Sequence, residues 1–69
     1  MSNLKKPALY FLRELKRSYP TEEWFTATRK QIAEKTDYPL RSSDRHLGNL
    51  LEAGHLEREP GRWKIRNIL

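Results

Sequence analysis

The sequence predicts a small α+β fold: three helices, a short strand between the first two, and a β-hairpin after the third. Three observations carry this. Apolar residues recur at helical spacing in three separate segments. Helix start and stop residues punctuate those segments. Two strand-like runs flank Pro60-Gly61-Arg62 near the C-terminus.

The first helix is expected from Lys6 to Arg17, after a short tail over Met1–Asn3. Ala8, Phe11, Leu12 and Leu15 fall on one face, and Pro7 suits a first helical turn, where its missing N–H costs nothing. Arg13, Lys16 and Arg17 lie toward the C-terminal end, where cations complement the helix dipole. Leu9 and Tyr10 fall off the stripe and would either pack under another element or form a dimer contact. Ser18 to Pro20 ends the helix, and Glu23 to Ala27 reads as a brief strand.

Thr28-x-x-Gln31 has the form of a capping box, so a second helix is expected from there to about Thr36, burying Ile32 and Ala33. Asp37 to Pro39 is a turn, and Asp tolerates the left-handed backbone that such a turn requires. A third helix runs from Leu40 to Ala53, with Leu47, Leu50 and Leu51 at helical spacing and Gly54 as its stop. His55–Glu59 and Trp63–Asn67 form the hairpin, joined by a three-residue link. Leu56, Trp63 and Ile65 share one of its faces, and Glu57, Lys64 and Arg66 the other. Trp24 and Trp63 are both expected in the core.

Composition narrows the function classes. A chain of 69 residues holds one domain, near the lower limit for a single hydrophobic core. Fourteen Lys and Arg oppose nine Asp and Glu, giving a net charge of +5, and the isoelectric point is about 9.9. That balance suits a polyanionic partner held by phosphate neutralisation. There are no cysteines, which excludes disulfides and thiolate metal sites and fits a reducing cytoplasm. His46 and His55 are too few for a histidine-rich metal site, so no metal or other cofactor is expected. No stretch approaches the ~18 apolar residues of a membrane span, and Arg13 and Glu14 interrupt any signal-peptide core. Ser42, Ser43, Asp44 and His46 are close in sequence, but neighbours on one helix point in different directions and cannot make a catalytic triad. There is no Gly-rich phosphate loop either, and an enzyme is not expected.

The run from Ile32 to Leu56 carries a resemblance. Ile32-Ala33-Glu34, a turn, Ser42-Ser43, Arg45-His46-Leu47, Leu50-Leu51-Glu52-Ala53-Gly54 and then Leu56 follow one another without a gap. This resembles the helix-turn-helix of small winged-helix bacterial regulators of the arsenic-repressor type. The resemblance implies a winged helix-turn-helix fold, with residues 28–54 as the helix-turn-helix and 55–69 as the wing. It departs from that family at Asp37, where Gly is common, at Pro39, where Ser or Thr commonly caps, and at Ser43, where a β-branched apolar residue is usual. No metal-sensing motif is present, so metal sensing is not implied. The ending Glu57 to Ile65 is also similar to domains that bind left-handed nucleic acid. Those need Asn and Tyr on the third helix, where Asp44 and Gly48 stand here.

Helix-turn-helix docking brings the N-terminal residues of the motif's second helix to base edges in the major groove. The expected base-reading residues are therefore Leu40, Arg41, Ser42, Asp44, Arg45 and Gly48. Arg41 and Arg45 can each donate two bonds to guanine, Asp44 can accept from cytosine, and Ser42 can contact base or phosphate. Other roles stay open: Arg41 simply solvated, Arg45 paired with a carboxylate, Asp44 holding an arginine, Ser42 capping the helix. Gly48 serves either close approach of the backbone to DNA or a partner, or a packing contact with the second helix. Thr28, Arg29 and Lys30 at the start of the second helix, with Arg62, Lys64 and Arg66 on the wing, are the expected phosphate contacts. Glu57 and Glu59 make that wing only mildly basic.

The leading expectation is a cytoplasmic, nucleoid-associated protein that binds double-stranded DNA sequence-specifically. It would serve as a small transcriptional regulator or a mobile-element accessory factor, as a monomer or a weak homodimer. The alternative is a winged-helix module that binds an acidic protein partner, since fold does not fix function.

Overall fold

The computed structural model describes residues 4–67; the Met1–Asn3 tail and the last two residues of the expected wing lie outside the described residues. The element order is α1 (Lys6–Ser18), β1 (Trp24–Thr26), α2 (Arg29–Thr36), α3 (Leu40–Ala53), β2 (Leu56–Glu59) and β3 (Arg62–Ile65). This is an α+β arrangement of three helices and one three-stranded antiparallel sheet.

The helices begin and end for local reasons. Pro7 sits in the first turn of α1, and Ala8, Phe11, Leu12 and Leu15 are its buried face. At α2 the capping box is complete: the Thr28 hydroxyl accepts from the Gln31 N–H at 3.0 Å, and the Gln31 side chain accepts from the Thr28 N–H at 2.9 Å. Asp37 ends α2 in the left-handed region (φ 60°), its N–H donating to Glu34 while the Tyr38 N–H reaches the Ala33 carbonyl. Gly54 ends α3 in the same way (φ 83°), with His55 N–H donating to Leu50 and Gly54 N–H to Leu51. Both endings therefore use the paired bonds of a Schellman motif.

The sheet order is β1-β3-β2, with every neighbour antiparallel. Glu59 pairs with Arg62, so Arg62 belongs to β3 and the hairpin link is Pro60-Gly61 rather than three residues. Gly61 supplies the positive φ (79°) that this two-residue turn demands. β1 is also shorter than expected, and His55 lies before β2 as a fully buried residue. Phe25, Trp63 and Arg58 stand opposite one another across the three strands, as do Trp24, Lys64 and Glu57. Alternation then sends Leu56, Trp63 and Ile65 inward and Trp24 outward.

Trp24 is accordingly not a core residue. It is half-buried, with the Arg62 guanidinium 4.7 Å and the Lys64 ammonium 5.8 Å from its ring centre. The core is Phe11, Leu12, Leu15, Ala27, Ile32, Leu47, Leu50, Leu56, Trp63 and Ile65, with contributions from all three helices, β2 and β3. His46, next to Leu47 in α3, is half-buried. It packs its ring on Phe11 at 5.2 Å, while Tyr38 from the turn meets both rings edge-on. That three-ring contact ties α1, the α2–α3 turn and α3 together.

Candidate nucleic-acid interface

The amphipathic division of α3 defines the candidate surface. Ser43, Leu47 and Leu50 are buried, whereas Leu40, Arg41, Arg45, Gly48, Asn49 and Glu52 are exposed. Arg41 and Arg45 are one turn apart, about 6 Å along the helix axis, and neither forms a salt bridge among the described residues. Leu40, at the start of the same face, is 45% exposed. Ser42 is half-buried and does not cap the helix; Pro39 is the N-cap and no side chain bonds the free N–H groups there.

Gly48 lies in the middle of this face. A Cβ built on it would meet nothing within 4 Å, so no packing contact with α2 calls for glycine. Asn49, which the sequence reading missed, is exposed beside it, four residues after Arg45. Its spacing was the available signal: i+4 from an exposed arginine puts it on the same side. Glu52, one turn after Gly48, brings a carboxylate to the far end of the face.

Asp44 is placed differently from a base reader. One carboxylate oxygen accepts a hydrogen bond from the Arg29 guanidinium at 3.0 Å, and the other is buried without a hydrogen-bond partner among the described residues. The ion pair links the first residue of α2 to the second turn of α3. Arg29 and Lys30 open α2, and Arg41 opens α3, with no acidic residue in either first turn. Cations there oppose the helix dipole, which favours anions at that end. The helix dipole thus gives no reason for these three positive charges, of which only Arg29 is in an ion pair among the described residues. Thr28 uses its hydroxyl in the capping box, and Lys30 is exposed.

Arg62, at the start of β3, and Arg66, just past its end, are committed to carboxylates. Arg62 donates to Glu59 at 2.7 Å through Nε, and Arg66 pairs with both Glu57 and Glu22. Hydrogen bonding to Glu57 is the main reason that the Arg66 guanidinium is pushed above its usual range. Glu22 is held below the usual carboxylate range, chiefly because the Asn67 N–H donates to it at 2.7 Å. Arg62, Lys64 and Arg66 therefore face three carboxylates, Glu22, Glu57 and Glu59, and the outer sheet surface is charge-balanced. Arg58, another residue the sequence reading passed over, lies 4.6 Å above the Trp63 ring.

Among the described residues no cluster of three or more potential metal ligands occurs, and no helix is long and apolar enough to cross a membrane. A groove of about 400 Å³ is lined by Tyr19, Thr26, Ala27, Gln31, Glu34 and Lys35, none of them on α3. Compared with known proteins, the chain matches no family model, no curated protein and no solved structure.

Proposed function

We propose that the chain is a winged helix-turn-helix domain that binds double-stranded DNA with α3 in the major groove. The observation that carries this reading is the pair Arg41 and Arg45, exposed one turn apart on α3 and unpaired among the described residues. A planar guanidinium that is not already bonded can give both its donors to guanine O6 and N7. The order of α2, a three-residue turn, α3 and a hairpin supports the architecture, and the net charge of +5 supports a polyanionic partner. The phosphate contacts belong chiefly to Arg29 and Lys30, which open α2 with no acidic residue in its first turn, whereas Arg62 and Arg66 lie on a surface where Glu22, Glu57 and Glu59 balance their charge. On this reading the protein is a small transcriptional regulator or an accessory factor of a mobile element.

The test is fluorescence anisotropy with mixed-sequence duplexes across a salt series. Affinity is expected to fall steeply as salt rises, and the slope to become shallower in Lys30→Ala. Selection from a random duplex library then reports the site and its symmetry. A homodimer would select two half-sites ~34–36 Å apart. No binding at low salt would overturn the reading in favour of a module that meets an acidic protein.

A further inference from the structure

We propose that Asp44 is a positioning residue, which holds the Arg29 guanidinium at the edge of the α3 surface for a DNA phosphate. The inference rests on the DNA-binding reading above and changes the part Asp44 plays in it. A carboxylate on a DNA-facing helix has two direct roles, accepting from cytosine or repelling phosphate. Neither oxygen of Asp44 is placed for the first. One is engaged by Arg29 at 3.0 Å and the other is buried.

Repulsion is weakened by the geometry of the pair. The Arg29 side chain is 58% exposed and that of Asp44 only 31%, so an approaching phosphate meets the guanidinium before the carboxylate. Arg29, Lys30, Arg41 and Arg45 also outnumber Asp44 at the start of these two helices, four cations to one anion. Asp44 engages one terminal nitrogen of Arg29, Nη1. A guanidinium has five N–H donors in a fixed plane, so holding one of them orients the rest. An arginine already held in one rotamer loses less conformational freedom when it binds than a free one does. Asp44 thus acts through Arg29, across the junction between α2 and α3.

The experiment is duplex binding across a salt series for the wild type, Asp44→Asn, Asp44→Glu, Arg29→Ala and the Arg29→Ala/Asp44→Asn pair, with a thermal melt of each. Removing a negative charge from a surface that only repels DNA would tighten binding. The expected result is the reverse: Asp44→Asn weakens binding by about tenfold, equivalent to ~1.4 kcal/mol. Its salt slope should drop by ~0.9, the value of one phosphate contact. Asp44→Glu keeps the carboxylate and should recover most of the affinity. The double variant should bind no more weakly than Arg29→Ala, because the two side chains act as one unit. Tighter binding by Asp44→Asn overturns the proposal, as does a loss confined to sequences with one particular base pair, which would make Asp44 a base reader. Should Asp44→Asn fail to fold, Arg29→Ala carries the test, since an unchanged affinity and salt slope there overturn the proposal alone. A wild type that binds no duplex at any salt overturns the DNA-binding reading itself.

Discussion

The indole N–H of Trp63, in the middle of β3, donates a 2.8 Å hydrogen bond to the carbonyl of Ala27, just ahead of the α2 N-cap. Both residues are buried, and 36 positions separate them in the chain. This bond fixes the sheet to the start of α2 and so sets the distance between the β2–β3 hairpin and the helix pair. Trp63→Phe keeps most of the ring volume but leaves the Ala27 carbonyl without its donor. The expected loss is about 1–3 kcal/mol, read as a lower urea midpoint with an unchanged slope. An unchanged midpoint would mean that the bond adds nothing to stability.

Ser43 should be improvable. It is fully buried on the same side of α3 as Leu47 and Leu50, and its hydroxyl has no hydrogen-bond partner among the described residues. A buried hydroxyl that is not bonded carries an uncompensated desolvation cost. Ser43→Ala removes that group and adds helix propensity, so a gain of about 1 kcal/mol is expected in a denaturant melt. A fall in stability would show that the hydroxyl is bonded in solution.

Gly48 separates stability from function. Alanine there meets open space, so Gly48→Ala is expected to raise stability by about 0.5–1 kcal/mol. Gly48→Gln should also fold normally but weaken duplex binding by about tenfold or more, since on the proposed reading its side chain would stand where α3 approaches the groove. Unchanged binding by the Gln variant would place DNA on another surface.

Acid should destabilise the fold through its two histidines. Burial lowers the pKa of His46, with a smaller effect of Arg45, and burial lowers that of His55, with a smaller effect of Lys16. A histidine whose folded pKa is depressed binds its proton more readily when unfolded. Its contribution is therefore complete above the ordinary value of 6.5 and is lost as pH falls from there through the folded pKa. NMR titration of the imidazole C–H signals should give both midpoints below 6.5, and the melting temperature should decline over the same range. A midpoint at or above 6.5 for either ring would contradict its burial.

The helices were legible in the sequence because their signals are local. The Thr28–Gln31 box, Asp37 and Gly54 each act within a few residues, and α3 runs from Leu40 to Ala53 as its spacing implies. The exposed arginines of α3 were legible for the same reason, since Leu47 and Leu50 fix which face is buried. What escaped the sequence depends on strand pairing or on distant partners. The turn length followed from the pairing of Glu59 with Arg62. The outward position of Trp24 follows from its register with Lys64. Arg66 meets Glu22 across 44 residues and Arg29 meets Asp44 across 15, and no local pattern announces either pair. These pairings redistribute the candidate site, drawing Arg62 and Arg66 into ion pairs on the outer sheet surface and Asp44 into contact with Arg29.

The most direct measurement is an NMR map of backbone amide shifts as a DNA duplex is added to the labelled protein. The changes expected are largest at Arg41, Arg45, Gly48 and Asn49, smaller at Arg29 and Lys30, and small on the outer face of β3. Shifts centred on the sheet or on α1 with α3 unmoved, or no shifts at all, would contradict the assignment of α3 as the DNA-reading element.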